Sequence, residues 1–506
     1  MLEVGSTCWT SEVAPRASIL VDMEPYLAAA RAAFRSARSS IHFLNWAFDP
    51  DTVLDHEPDG PGSAPLTIGS FLRGLIDERP DLEVRILCWA SPLPVAATQR
   101  FFPHRSRKFF ASTRVRFVLD DTVPLGASHH QKVVIVDDAL AFCGSCDIGP
   151  DRWDSPDHLH PDPRREKLGR ARDCYDCRHE VMAMMDGPPA ASLGNLFRER
   201  WERATGERLP AGAMTSRNNV WPDEVSPDFR KIRVGLSRTQ ASWKDFPELR
   251  EGESATLAAI ASARSTLYFE NQYFTSPIVA EALAQRLQEA DGPEVVLVST
   301  RHSPSWFDQM TMDKTRSRFL ERLERADRHG RFHAYSPVTA NDRTIIVHAK
   351  LSIVDDRLVR IGSSNVNNRS EGFDSECDVT FDSDCSADAN ARCVSVFRAR
   401  LLAHWLGCNE LAFSEAYDQV GSVGGAVEHL RAAGHHRLQP LRSRAHGWLS
   451  TFIADHHIGD PISAADSLRP WLRPAQMRHK LAAAVHRLQR ADVPAPEVPL
   501  GGPIEP

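Results

Sequence analysis

No run in this 506-residue chain approaches the roughly 20 apolar residues that a membrane-spanning helix requires. The opening stretch, MLEVGSTCWTSEVAPRASIL, lacks both a basic leading segment and an apolar centre, so no cleavable leader is expected. Excess positive charge is missing too. Sixty Lys and Arg stand against 67 Asp and Glu, for a formal net charge of -7. A protein that grips nucleic acid through its phosphates is usually basic, so this balance weighs against a non-specific nuclease. Cysteine is sparse, 10 residues in all, which rules out a disulfide scaffold in a chain this long. Two C-x-x-C pairs, Cys143/Cys146 and Cys174/Cys177, have the spacing of a four-thiolate zinc site. The long gap between them, and the place of the first pair inside another motif, argue against a metal there. These absences predict a soluble protein of the cytosol that meets any lipid substrate at a membrane surface, or one exported without a cleavable leader.

What is present is an average globular composition, 42% hydrophobic and 25% charged, in enough chain for two to four domains. It contains a repeat. RSSIHFLNWAFDP (38–50) aligns with RSTLYFENQYFTS (264–276), which sets Asn45 against Asn271. Further on, HHQKVVIVD (129–137) aligns with VHAKLSIVD (347–355). Two blocks recurring in one order at similar spacing indicate a duplicated domain. Strand-like runs such as LEVRILCWA and PEVVLVST alternate with helical ones such as IVAEALAQRLQEA, which predicts an α/β fold with a mixed, mostly parallel sheet in each half. A Pro-, Gly- and Asn-rich segment at 206–228 reads as the linker. The expected organisation is a first repeat at 1–215, a second at 216–425, and a helical extension at 426–506 with a disordered end.

Each copy of the second block carries H-x-K-x-x-x-x-D: His130, Lys132 and Asp137, then His348, Lys350 and Asp355. The run after each His is β-branched and reads as a strand, where residues i and i+2 share a face, so imidazole and ammonium stand side by side. The aspartates fall at the turn, and the chain returns through a second arm bearing Gly144, Ser145 and Asp147 in one copy, Gly362, Ser363 and Asn365 in the other. Hydroxyl, amide and carboxylate groups there are able to bind a phosphate oxygen or hold the lysine.

The doubled motif followed by G-S-x-N resembles the signature of the phospholipase D superfamily. The second copy matches fully from His348 to Asn365, whereas the first has Asp147 in place of Asn. Glu270-Asn271-Gln272-Tyr273-Phe274, Ser128-His129-His130-Gln131-Lys132 and VNNRSEGFDSE (366–376) also look like pieces of that family. The S-H-H-Q-K form is similar to the eukaryotic-type enzymes. Two departures stand out: His179-Glu180 where H-D is usual, and His404-Trp405-Leu406 where E-H-L is usual.

The resemblance implies two repeats packed with pseudo-two-fold symmetry around one site, with no cofactor and no metal. It implies a phosphodiesterase in which one His attacks phosphorus, the other protonates the leaving alcohol, and Lys132 and Lys350 carry the negative charge. His130 is the expected nucleophile and His348 the acid. An acid after each motif orients its His, Glu376 for His348 and Glu180 for His130. The candidate catalytic set is His130, Lys132, Asp137, His348, Lys350 and Asp355, although the two aspartates read more simply as turn residues. Asn45, Ser145, Asp147, Glu180, Asn271, Ser363, Asn365 and Glu376 are the supporting set. Arg152 either lines the pocket or packs a loop, His158 and His160 read as solvated, and Phe197 and Trp201 read as core. The leading function is hydrolysis of the distal phosphodiester of a glycerophospholipid, with phosphatidyl transfer as a side activity. Cardiolipin synthesis, nucleic-acid cleavage and non-catalytic lipid binding are the alternatives. Nothing in the sequence calls for a protein partner.

Overall fold

The strand-like runs join into one 16-stranded sheet that passes unbroken from one half of the chain to the other. The first half supplies β1 (Thr10–Val21), β2 (Ser40–Asn45), β3 (Glu83–Trp89), β4 (Arg116–Asp120), β5 (Val133–Val136), β6 (Leu140–Gly144) and β7 (Val181–Asp186). The second supplies β8 (Phe229–Gln240), β9 (Thr266–Asn271), β10 (Glu294–Val298), β11 (Phe332–Pro337), β12 (Lys350–Val354), β13 (Leu358–Gly362) and β14 (Glu376–Asp382). Outward from the centre the order is β1-β7-β6-β5-β2-β3-β4 on one side and β8-β14-β13-β12-β9-β10-β11 on the other. Each half therefore lays down its strands along the same path. This is a computed structural model, and it describes residues 1–98, 102–167, 170–211, 219–305, 308–383, 388–444, 447–467 and 473–491.

The sheet is mixed, but parallel pairing is confined to the outer strands. β2, β3 and β4 run parallel, as do β9, β10 and β11. From β2 inward through β5, β6, β7 and β1 every pairing is antiparallel, and β1 meets β8 antiparallel at the centre. The expectation of a mostly parallel sheet in each half is corrected for a local reason. The motif strand returns through a short turn, which joins antiparallel neighbours, whereas parallel strands need a long crossover. Asp137 and Asp138 make that turn with φ of 53° and 51°, the left-handed region that short-chain Asp tolerates.

Helices cover both faces. The helix Met23–Ser36 sets Tyr26, Leu27, Ala30 and Phe34 against Phe43 and Ile86 of the sheet. On the other face, helices Pro188–Thr205 and Asp388–Leu406 bring Phe197, Trp201, Phe397 and Trp405 into a core that spans both halves. Burial of each such side chain contributes roughly 1.5–3 kcal/mol before conformational entropy is counted. The run VVIV of β5 is apolar at every position because both of its faces are covered. Pro at the first turn and Gly206 at φ 75° delimit the helix Pro188–Thr205.

The extension is continuous with the second half. A helix, Val423–Ala432, crosses the boundary set at 425, and the short strand Leu438–Pro440 pairs with β11. The boundary at 215 and the expected disordered end lie outside the described residues. Among the described residues no helix is long and apolar enough to cross a membrane.

Candidate active site

Strand pairing begins at Val133 in the first copy and at Lys350 in the second, so both motif histidines sit at the mouths of their strands. Each mouth docks against the opposite half. The His130 N–H donates to the Ser375 carbonyl at 2.9 Å, and the His348 N–H donates to the His179 carbonyl at 2.9 Å. Side chains follow the backbone across. His130 Nδ1 lies 3.0 and 2.9 Å from the two Glu376 oxygens, and His348 Nδ1 lies 2.9 Å from Glu180 Oε2. This corrects the expected pairing of each acid with the His of its own repeat. Glu376 opens β14 and Glu180 immediately precedes β7, and the residues just before them, Ser375 and His179, dock on the other half's motif, so each acid reaches across the junction. Neither half orients its own histidine.

The lysines lie beside the histidines as the i, i+2 spacing predicts. Lys132 Nζ donates to the His130 carbonyl at 2.7 Å and sits 3.3 Å from Asp147, while Lys350 Nζ donates to the His348 carbonyl at 2.5 Å. Burial first, then Lys132, pushes the His130 imidazole well below its ordinary value; burial and Lys350 do the same to His348. Burial likewise raises Glu376 and Glu180. Each His–Glu pair therefore holds a proton on the Nδ1 side and turns Nε2 away from the carboxylate. Burial also lowers Lys350, to about 7. Burial works to raise Asp147, but Lys132 and Arg152 outweigh it and keep the carboxyl ionised.

Other candidates divide by location. Ser363 Oγ donates to Glu376 Oε2 at 2.5 Å and so fixes the carboxylate, whereas Ser145 Oγ is held by the backbone of Val181. Asn271 is paired with Lys350 in the β9–β12 ladder, but its carbonyl oxygen accepts from the Tyr273 and Val366 N–H groups and shapes a loop. The Asn45 side chain is buried, with no hydrogen-bond partner among the described residues, as is Asn365 Oδ1. Asp137 and Asp355 are removed from the site. The Asp137 carboxylate accepts from the N–H groups of Arg38, Ser39 and Ser40, each at 2.8 Å, and Asp355 does the same for Arg264, Ser265 and Thr266. They pin the start of β2 and of β9 at the far end of the motif strands.

Sequence reasoning left Arg152 undecided and missed Ser370. Arg152 Nη1 lies 3.4 Å from His348 Nε2 and 3.6 Å from Glu180, so it lines the site. Ser370 donates to Glu376 Oε1 at 2.6 Å from within the VNNRSEGFDSE tail, the one signal that pointed to it. The motif glycines serve the sheet and not the ligand. A Cβ on Gly144 would lie 2.4 Å from the Val181 carbonyl, and one on Gly362 1.8 Å from Asp378 Oδ1. His158 is buried, not solvated, because Asp154 holds its Nδ1 at 2.8 Å. The C-x-x-C pairs do not form a thiolate cluster among the described residues. Cys143 faces the Cys377 carbonyl, Cys174 that of Asp162 and Cys177 that of His158.

Comparison with known proteins bears on the family and the fold. A family model described as "Cardiolipin synthase, PLD-like domain" matches residues 256–401. Phospholipase D alpha 4 of Arabidopsis thaliana is 24% identical over 444 residues, covering 67% of this chain and 58% of that protein. Cardiolipin synthase A of Proteus mirabilis is 27% identical over 244 residues, covering 48% of this chain and 42% of that one. This chain belongs to the phospholipase D superfamily. The crystal structure of phosphatidylserine synthase from Haemophilus influenzae, at 14% identity and a TM-score of 0.52, covers 94% of each chain and shares the fold. That likeness extends through both halves of the chain.

Proposed function

We propose that this superfamily member is a phospholipase D. It hydrolyses the distal phosphodiester of a glycerophospholipid to phosphatidic acid and a free head-group alcohol, without a metal at the reacting phosphate. The observation that carries this reading is the crossed pair of His–Glu units beside two buried lysines. Two imidazoles, each fixed through Nδ1 by a carboxylate, present one Nε2 for in-line attack and the other for leaving-group protonation.

His130 Nε2 attacks phosphorus, the bond to the head-group oxygen breaks, and that oxygen takes a proton from His348 Nε2. Water then gives a proton back to His348 as its oxygen displaces His130 and restores the enzyme. The anionic diester offsets Lys350 and Arg152, which is what lets His348 carry its proton in the complex. Two features support this order. Both oxygens of Glu376 face His130, and Ser363 and Ser370 hold that carboxylate, so the Nε2 lone pair is kept on the nucleophile. Arg152 beside His348 makes its imidazolium a strong acid. Lys132 and Lys350 stabilise the charge on the non-bridging oxygens.

A second reading, phosphatidyl transfer between lipids, has support in the family model and in the Proteus mirabilis relative. An alcohol in place of water opens the same intermediate. Both readings place the protein at a phospholipid surface. The test is mass spectrometry of lipid products after purified protein meets mixed phospholipid vesicles with a little ethanol, beside His130→Ala. Phosphatidic acid and phosphatidylethanol, made by the intact protein alone, support the reading. Cardiolipin as the dominant product shifts it to transfer, and no lipid product from folded protein overturns it.

A further inference from the structure

Behind the active site, three side chains from distant parts of the chain turn electron pairs toward one another. Asp22 closes β1, His158 lies in the loop after the first motif, and His404 is in the helix Asp388–Leu406 of the second half. His158 Nε2 is 3.3 Å from His404 Nε2 and 3.6 Å from Asp22 Oδ2, and His404 Nε2 is 3.9 Å from that same oxygen. Asp22 is 0% exposed, and its Oδ2 has no hydrogen-bond partner among the described residues.

The proton inventory of this triangle is short. His158 Nδ1 is bound to Asp154 Oδ2 at 2.8 Å, so its proton belongs there and Nε2 carries a lone pair. Asp22 Oδ2 has only lone pairs. His404 Nε2 supplies at most one proton to the space the three share. A hydrogen bond from His404 to His158 leaves a buried carboxylate oxygen with nothing to meet it, which is costly. A cation satisfies all three.

The dimensions agree. A triangle with edges of 3.3, 3.6 and 3.9 Å has a circumradius of about 2.1 Å, against zinc–nitrogen and zinc–oxygen distances of about 2.0–2.2 Å. The outer shell is also built. His179 Nδ1 donates to Asp22 Oδ1 at 2.9 Å, and its Nε2 donates to Glu270 Oε2 at 2.9 Å. Trp405 and Tyr268 fix Glu270 from the other side, each at 2.6 Å. Asp22 reaches this position from a left-handed backbone, φ 69°, and makes no cap for the helix that follows it.

We propose that Asp22, His158 and His404 bind one divalent transition-metal ion of the zinc class, with water at the remaining position. The donor set of two imidazoles and a carboxylate suits such an ion and not calcium or magnesium. The ion clips the loop after the first motif to the helix Asp388–Leu406 of the second half. It stands one residue away from Glu180 through His179, and takes no part in the chemistry at phosphorus. The site also accounts for two sequence features the catalytic reading does not use, His158 and the departure at His404.

The test is elemental analysis and calorimetry on the full chain, loaded with zinc sulfate or cobalt chloride and exhaustively dialysed. One zinc per chain is expected, with ligand-field absorption in the cobalt form and a lower Tm after chelation. His404→Gln and Asp22→Asn should each lose the metal and the chelator-dependent Tm shift, whereas Cys174→Ser keeps both. His404→Gln is small enough to preserve the helix, and circular dichroism checks that it does. Wild-type protein with well under one zinc per chain, or the same zinc content in His404→Gln and Asp22→Asn, overturns the site. Lipid turnover is not a readout here, so the result stands whatever the enzyme's substrate.

Discussion

The half-site around His130 and the half-site around His348 are built from one pattern but balance charge differently. Lys132 has Asp147 at 3.3 Å, and the Glu376 that serves its histidine is clasped by two hydroxyls. Lys350 has Asn365 at the matching position, and its histidine's acid, Glu180, faces Arg152. One side is a neutralised, rigid cradle; the other is richer in cation. On the proposed mechanism the first side suits nucleophilic attack and the second suits donation of a proton.

The largest effect should come from the histidines, and their difference is the sharpest probe of that asymmetry. His130→Ala and His348→Ala should each lower phospholipid turnover by about 10⁴-fold or more, the upper range for an acid–base group. With a nitrophenyl phosphodiester, whose leaving group needs no proton, His348→Ala should still form a phosphohistidine on His130. His130→Ala should form none. A labelled peptide carrying His348 in place of His130 would reverse the assigned roles.

Next are the crossed acids. Glu376→Gln should cost roughly 10²–10⁴-fold, as loss of a histidine-orienting carboxylate does elsewhere, and should impair attack even on the nitrophenyl substrate. Glu180→Gln should spare that substrate and impair the natural one. If each acid instead served its own repeat's histidine, the two phenotypes would be exchanged.

That crossing marks the limit of what the sequence made legible. The repeat was readable because two blocks recur in order, and the H-x-K pair because strand spacing puts i and i+2 together. The partner of each histidine was not readable. Glu180 and Glu376 each follow their own repeat's motif in the sequence, and only the docking of His130 N–H on Ser375, and of His348 N–H on His179, decides which acid meets which imidazole. The parallel bias failed for a related reason: the hairpin that carries the motif forces antiparallel neighbours from β2 inward. His158 was misread because its partners, Asp154 and Asp22, are respectively close in sequence and far from it.

Lysine electrostatics give a smaller, pH-dependent contrast. Burial, with Lys132 and Arg152 nearby, brings Lys350 to about 7 from an ordinary 10.5. In the free enzyme its charge is lost as pH rises through about 7, so kcat/KM should fall on that limb. Lys350→Met should lower kcat by about 10²–10³-fold, the cost of one charge-stabilising donor, and abolish the limb. Stability runs the other way. Because the folded-state value lies below the unfolded one, burying the cation costs most below pH 7, and the cost is relieved as pH climbs toward 10.5. Lys350→Met should therefore raise Tm more at pH 6 than at pH 9. Asn365→Asp, in the cavity that Lys350 lines, should move the alkaline limb upward by copying the Asp147 arrangement. An unmoved limb in that variant would show that another group titrates there.

The smallest effect on catalysis belongs to the residues that end the motif. Asp137 and Asp355 share a sequence signature with the motif histidines, yet each spends its carboxylate on three backbone N–H groups at a strand start. Loss of charge-assisted hydrogen bonds at a buried position costs about 1.5–3 kcal/mol. Asp137 is 4% exposed and Asp355 half-buried, so Asp137→Ala should be the more destabilising of the two, measured by denaturant unfolding. Below its Tm each variant should keep kcat within about twofold, since nothing at the phosphate has moved. A hundredfold drop in kcat for Asp355→Ala with an unchanged unfolding midpoint would place the aspartate in the chemistry after all. A pure stability loss would show that the motif's last residue has been kept for folding while its first two are kept for reaction.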